Sequence, residues 1–111
     1  MMNVAVYNPD RLFRLSSRQY KDQARDYHVD ANYWSIRDGT TLSSAVWTLE
    51  HGDATIGADS EASNVSTALI TTSSEVNSLI KVVLTLADGQ IGVQYIEINV
   101  PDVTGNTKDY N

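Results

Sequence analysis

The sequence contains no cysteine, and it holds only two histidines, two prolines and a single phenylalanine. A chain without cysteine forms no disulfide bond, no thiolate metal site and no covalent intermediate on a cysteine sulfur. Small secreted domains often depend on disulfides because their cores are small. With 111 residues, this chain has room for one domain, whose stability must come from packing or from neighbouring molecules.

The residues from which catalytic and metal sites are built are equally scarce. His28 falls on the polar phase of a strand-like segment, and His51 falls in a turn beside Glu50 and Asp53. Neither histidine has a second one at ligand spacing, whereas a zinc site needs about three or four ligands. The sequence has neither a Gly-x-Ser-x-Gly elbow nor a glycine-rich phosphate loop. We therefore expect that the protein is not an enzyme and has no catalytic residue, no cofactor and no bound metal.

Acidic residues come in pairs at two places. Asp59 and Glu61 share one predicted loop, and Asp102 and Asp109 share the C-terminal tail. Calcium needs about six to eight oxygen ligands at set spacing, and a glycosidase carboxylate pair needs a concave site. A small sandwich without long loops rarely offers such a site. We interpret both pairs as solvated surface.

Charge is distributed unevenly along the chain, whose net charge is −6. Residues 1–37 carry six basic and four acidic side chains, whereas residues 38–111 carry two basic and ten acidic ones. An acidic body argues against nucleic-acid binding, which requires positive charge. No segment approaches the ~20 apolar residues of a membrane span, and residues 1–9 lack a signal-peptide pattern. We expect synthesis in the cytoplasm and no binding to nucleic acid or membrane.

The chain divides into an extension over residues 1–20, a strand-rich body over residues 21–100 and a polar tail over residues 101–111. The extension is too apolar for a solvated arm and too short to fold alone. It packs either on the body or on another chain, and the sequence leaves both alternatives open. The residues expected to contact a partner are Val4, Val6, Tyr7, Leu12, Phe13 and Leu15.

Alternation of apolar and polar residues with a period of two predicts strands throughout the body. A helical turn or a bend is expected at residues 33–36, and turns are expected at residues 37–40 and 50–53. The predicted strands cover residues 27–31, 42–49, 54–58, 65–72, 79–86 and 91–100.

The last two strands form a predicted hairpin around the turn pair Asp88-Gly89. The even-numbered residues of 80–86 give the first strand a single apolar face. In the second strand the apolar phase changes between Tyr95 and Ile96. This change predicts either a β-bulge at that point or a strand that is buried on both faces.

Trp34 and Trp47 are the largest aromatic side chains. Trp47 lies in a strand beside Ala45 and Leu49 and is expected in the core, whereas Trp34 is expected to close one end of the fold. Exposed tryptophans would instead form a platform on which sugars stack. The short strands, the frequent turns and the lack of a long amphipathic helix predict an all-β fold. We predict an immunoglobulin-like antiparallel β-sandwich with an N-terminal extension and a polar C-terminal tail.

Residues 20–100 resemble a family of small phage virion proteins with an immunoglobulin-like fold, the fibre–tail adaptors and related head–tail accessory proteins. The resemblance consists of weak motifs. Lys21-Asp22 precedes the run of residues 26–30, and Trp34 follows that run by four residues. Residues 38–49 are similar to the family's Asp-x-Ile-x-x-Ser-x-Trp-x-Val stretch.

The resemblance implies a virion structural protein in the tail or connector region that joins the tail to fibres or to neighbouring tail proteins. It implies as partners the portal or connector, the tail tube or nozzle, the fibres, and copies of the chain itself in a ring. It carries no catalytic residue. Two other functions stay open, a capsid decoration protein and a carbohydrate-binding or adhesion module.

Overall fold

The computed structural model describes residues 3–11 and 14–102. These residues form eight strands and one short helix. The elements in chain order are β1 (Asn3–Val6), β2 (Arg14–Arg18), β3 (Gln23–Asp30), α1 (Asn32–Arg37), β4 (Leu42–His51), β5 (Thr55–Ala62), β6 (Val65–Thr72), β7 (Ser78–Leu86) and β8 (Ile91–Asn99). Of the helical turn or bend that the sequence predicts after β3, the structure shows the helical form, α1.

The strands form two four-stranded sheets that face each other. Sheet 1 has the strand order β1-β3-β6-β5, and sheet 2 has the order β2-β8-β7-β4. The all-β sandwich is therefore confirmed. The body strands pair antiparallel, whereas the two N-terminal strands join in parallel, β1 beside β3 and β2 beside β8.

The core lies between the sheets and is built by alternation along the strands. Every second residue of β7, from Ile80 to Leu86, is buried, as the sequence predicts. Ala68 and Ile70 face the same core from β6, while Leu69 between them is exposed. Burial of a large aliphatic side chain contributes about 1.5–3 kcal/mol, so these alternating residues define which face of each strand turns inward.

The final strand differs from both alternatives that the sequence suggested. β8 pairs with β7 without a register shift from Ile91 to Ile98, so the predicted bulge at Tyr95 is wrong. Its buried phase is continuous and includes Gly92 and Gln94. Apolar counting missed these two residues, because one has no side chain and the other is polar. Ile91, on the opposite phase, is exposed, so the strand is not fully buried on both faces.

The predicted boundary between an extension and a body is also corrected. The sandwich begins at Asn3 and not at residue 21, because β1 and β2 are hydrogen-bonded strands of the two sheets. Similarly, β5 continues to Ala62, so Asp59 and Glu61 lie on a strand and not in a loop. The polar tail lies outside the described residues from residue 103 onward.

Candidate functional site

The two N-terminal strands meet along one open edge of the sandwich. β1 is the edge strand of sheet 1 and β2 is the edge strand of sheet 2. The connection between them begins with a turn at Asn8, whose side-chain oxygen accepts a hydrogen bond from the Asp10 amide at 2.9 Å. The Ser17 hydroxyl lies 3.4 Å from Asn3 Oδ1 and joins the two edges. An edge strand leaves backbone groups unpaired in its own sheet, so this edge is open to another chain.

A cleft of about 220 Å³ lies between the two edges. Val4, Ala5 and Val6 of β1 form one wall, and Leu15 of β2 forms the other. Arg14 and Gln94 supply the polar groups of the lining. Small-molecule and peptide sites share this composition, with apolar walls and a few fixed polar groups.

Arg14 gives the rim of the cleft a positive charge. Its guanidinium lies 3.6 Å from a carboxylate oxygen of Glu97 on the neighbouring strand, and its side chain is half exposed. A solvent-exposed ion pair of this kind contributes at most about 1 kcal/mol. Arg14 can therefore turn to an acidic group of a bound molecule at small cost.

The structure brings together three of the six residues that the sequence assigns to partner binding. Val4 and Leu15 are half-buried in the cleft walls, and Val6 is 55% exposed at its mouth. Leu12 and Phe13 lie outside the described residues. Of the two placements that the sequence left open for the extension, the structure shows β1 and β2 packed on the body as strands of its two sheets. That Val4, Val6 and Leu15 contact a partner stays a prediction.

Tyr7, which the sequence assigned to partner binding, belongs to the core instead. Its ring packs against Trp34 with the ring centroids 5.0 Å apart and covers Gly92, where an added Cβ would clash with the tyrosine. Burial raises the pKa of the Tyr7 hydroxyl, although a hydrogen bond with the Val93 backbone acts in the opposite direction. A glycine within a strand often marks such a close approach, and this was the available sequence signal.

A buried polar network fixes the far end of β2. The side-chain amide of Gln19 donates to the carbonyl oxygens of Gln23 at 2.8 Å and Ile70 at 2.9 Å. Its oxygen accepts a hydrogen bond from the Tyr27 hydroxyl at 2.8 Å. Burial is the main cause that raises the pKa of Tyr27. Because buried polar atoms need partners, this network holds the chain leaving β2 against sheet 1.

An ion-pair cluster fixes the chain leaving β1. The Arg37 guanidinium lies 2.6 Å from an Asp10 carboxylate oxygen and 3.0 Å from one of Asp38. The hydrogen bond to Asp38 is the main cause that raises the pKa of Arg37, and the same contact lowers the pKa of Asp38. Both groups are solvent-exposed, so this cluster positions the turn after β1 against α1 and adds little stability.

Trp34 lies in the interior, whereas Trp47, which the sequence places in the core, is half-buried. Trp34 is buried beside Tyr7. Trp47 packs against the core, and its indole N–H donates to the Ser66 hydroxyl at 2.9 Å. The buried ring of Trp34 therefore offers no exposed face on which a sugar could stack.

The Ser66 hydroxyl in turn donates to Glu61 at 2.9 Å. A hydrogen bond with Asp59, together with desolvation, raises the pKa of Glu61. His28 is bonded to the Thr67 hydroxyl at 2.8 Å. Among the described residues, no group of three or more histidine, aspartate or glutamate side chains has the arrangement of a metal site.

No known protein-family model matches the chain, and no curated protein matches it in sequence. Solved structures resemble it in fold. A nucleoside hydrolase-related hypothetical protein from Saccharophagus degradans, associated with carbohydrate metabolism, aligns with a TM-score of 0.56 and 17% identity over 78% of this chain. A 2,6-sialyltransferase from Photobacterium sp. JT-ISH-224 aligns with a TM-score of 0.53 and 7% identity over 79% of this chain. The aligned regions span 22% and 17% of those two proteins.

Two smaller proteins match over most of their own length. The PKD domain from the KIAA 1837 protein has a TM-score of 0.52 and 15% identity, covering 77% of this chain and 78% of the domain. The cysteine protease inhibitor EhICP2 from Entamoeba histolytica has a TM-score of 0.50 and 7% identity, covering 90% of this chain and 97% of the inhibitor. At these identities the likeness concerns the fold alone. In the described part of the chain, no helix has the length and apolar character to span a membrane. The chain folds as an all-β, immunoglobulin-like sandwich.

Proposed function

We propose that the chain is a non-enzymatic structural protein of a phage virion, an adaptor that joins the tail or connector to fibres or to neighbouring tail proteins. The observation that carries the proposal is the cleft between β1 and β2. There, Val4, Val6 and Leu15 form apolar walls between the two N-terminal edge strands of the sandwich. The resemblance of residues 20–100 to virion adaptors supports the place of the protein in the particle.

The geometry of the cleft favours an extended segment of a partner protein as its occupant. β1 and β2 are edge strands, so a third strand can hydrogen-bond beside either one. Alternate side chains of that strand would enter the apolar cleft, and an acidic residue would reach Arg14 on its rim. The expected partner segment is therefore extended, apolar on one face and acidic at one position.

The surrounding contacts hold this edge in place before a partner arrives. Tyr7 anchors the end of β1 in the core, and Gln19 anchors the end of β2. A preorganised edge loses less conformational entropy on binding than a disordered arm does. The adaptor would repeat in a ring, where closed symmetry multiplies weak contacts.

Immunogold electron microscopy of virions from the source, with antibody to the chain, tests the proposal. Gold at the single tail vertex is the expected result. Gold spread over the head would replace the adaptor with a capsid decoration protein. Absence of gold from every particle would overturn the virion proposal, and quenching of tryptophan fluorescence by glycans would then point to carbohydrate binding.

A further inference from the structure

The outer face of sheet 2 carries an apolar row that the fold of one chain leaves uncovered. Val46, Val83 and Val93 lie opposite one another on β4, β7 and β8. Ile91 continues the patch along β8. Val46 is 57% exposed and Ile91 is 67% exposed. The solvated face of a sheet is ordinarily polar, and apolar groups gathered on three adjacent strands mark an interaction surface.

The charges around this row are mainly positive. Arg14 and Lys81 flank Tyr95 in the next row of the same face, and Arg18 lies further along β2. The acidic groups on sheet 2 are Glu97 and the bulge residue Glu50. The face therefore carries three cations against two carboxylates, with Arg14 paired to Glu97, and this small positive excess contrasts with the net charge of −6 of the whole chain.

The outer face of sheet 1 has the opposite charge. Asp26 and Asp30 project from β3 on the phase opposite to the buried Tyr27 and Val29. Asp26 lies across from Leu69 of β6, which is 45% exposed. Sheet 1 thus offers an exposed leucine beside carboxylates, and sheet 2 offers exposed valines beside cations.

We infer that copies of this chain stack head to tail, with the outer face of sheet 2 on one copy packed against the outer face of sheet 1 on the next. Two faces of the same sign would repel each other, whereas this arrangement places cations opposite carboxylates and apolar rows against each other. Such a contact uses different patches on the two copies, so it repeats into a ring or a filament. The inference rests on the proposed function, whose ring of copies it explains.

The area of the faces sets the expected strength. Three strands of 8 to 10 residues and one edge strand of 4 or 5 residues, spaced ~4.8 Å apart, give each face roughly 500 Å². A pair of faces then buries on the order of 1,000 Å² in total, the lower end for a specific contact. A single contact is expected to be weak, and a closed ring would strengthen it.

Sedimentation of the full chain from about 10 μM to about 1 mM, with single variants on each face, tests the inference. Val46→Lys blocks sheet 2, Leu69→Lys blocks sheet 1, and Val76→Lys introduces the same charge at an exposed loop position. The wild type and Val76→Lys should associate, and each face variant alone should associate at least about tenfold more weakly. A mixture of the two face variants should form a one-to-one dimer, because each variant keeps one intact face.

Three results would overturn the inference. A wild-type chain that stays monomeric would do so, as would equal association of every variant. Loss of association in Val46→Lys with full association of Leu69→Lys would show a symmetric contact between two copies of sheet 2. Immunogold reports on the proposed function separately. Gold at the tail vertex together with a monomeric chain in solution would reject only the stacking of copies. Association of the chain without gold on any particle would reject the adaptor function.

Discussion

The central strands β7 and β8 of sheet 2 differ in construction from the N-terminal strands β1 and β2, which lie in sheet 1 and sheet 2. β7 and β8 each have nine residues, lie inside sheet 2 and pair antiparallel. β1 and β2 have four and five residues and lie at sheet edges. β1 runs parallel to β3, and β2 runs parallel to β8. The central pair buries one full face of each strand, whereas the edge pair leaves a cleft.

This difference separates stability from recognition. A strand with neighbours on both sides has no free backbone groups to offer, and its inward side chains determine the stability of the fold. An edge strand offers backbone groups and side chains to another chain. Substitutions on the inner face of the central pair should therefore destabilise the fold, whereas substitutions at the mouth of the cleft should leave it folded.

The largest expected effect comes from the inner face of β7. Leu84→Ala removes a fully buried side chain and should lower the free energy of unfolding by about 2–5 kcal/mol, because the rigid core retains most of the cavity. Urea denaturation followed by tryptophan fluorescence measures the change. The matched control is Leu79→Ala on the half-buried outer phase of the same strand, and an equal loss in both variants would contradict the assigned faces.

The contact between Tyr7 and Gly92 should show coupled energetics. Tyr7→Ala opens a space above the glycine and should cost about 3 kcal/mol, and Gly92→Val alone should cost about 1–3 kcal/mol by overpacking against the ring. The double variant should lose less than the sum, by about 1 kcal/mol or more, because the valine fills the space that the tyrosine vacates. Urea denaturation of all four chains gives the coupling, and strict additivity would show that the ring does not cover Gly92.

Deletion of residues 1–15 should also destabilise the fold. The sequence left open that residues 1–20 pack on another chain, in which case their removal would spare the body, whereas the structure places Ala5 and Tyr7 in the core. We expect the deletion to destabilise the body as strongly as Tyr7→Ala does. A shortened chain with an unchanged urea midpoint would show that β1 is dispensable for folding.

The Gln19 network should contribute less than the core. Gln19→Leu keeps the approximate volume but leaves the Tyr27 hydroxyl and two backbone carbonyls without their present partner. The expected loss is about 1–3 kcal/mol, the penalty for unsatisfied buried polar groups. Tyr27→Phe in the same background should recover part of the loss, since it removes one of those groups. Absence of any recovery would contradict the bond between Tyr27 and Gln19.

A small pH-dependent effect is expected at β5. The hydrogen bond with Asp59 raises the pKa of Glu61 in the folded protein above its unfolded value, so the folded state binds this proton more tightly. The associated stabilisation is present at acidic pH and is lost as the pH rises through the folded pKa. Glu61→Gln should therefore raise the thermal midpoint slightly at pH 7, and this gain should shrink at acidic pH. A gain that does not change with pH would exclude the carboxyl as its cause.

The body of the fold was predictable because its signals are local. The alternation in 79–86 identifies the inner face of β7, and Gly39 and Gly89 stand at positive φ in the predicted turns. The course of β8 was not predictable from apolar counting, because Gly92 and Gln94 occupy inward positions without being apolar. Their roles depend on partners distant in sequence, such as Tyr7 above Gly92.

The sequence predicted which apolar residues line the site but not that they lie on two edge strands with a cleft between them. Val4, Val6 and Leu15 stand out as apolar residues in a segment too short to fold alone, and they converge on the cleft. Parallel pairing of β1 and β2 could not be read from the segment, because the pairing partners lie in β3 and β8, up to about 80 residues away along the chain. The same distance hides the role of Tyr7 and makes a core residue look like a docking residue.

The most direct test of the separation between folding and recognition is a paired measurement on Val6→Arg and Val76→Arg. Both positions are about half exposed, at 55% and 48%, but only Val6 lies at the cleft. The free energy of unfolding of both variants should lie within about 0.5 kcal/mol of the wild-type value. Expressed during infection, Val6→Arg should be absent from purified particles and Val76→Arg should be present. Equal incorporation of both variants, or unfolding of Val6→Arg, would contradict the account.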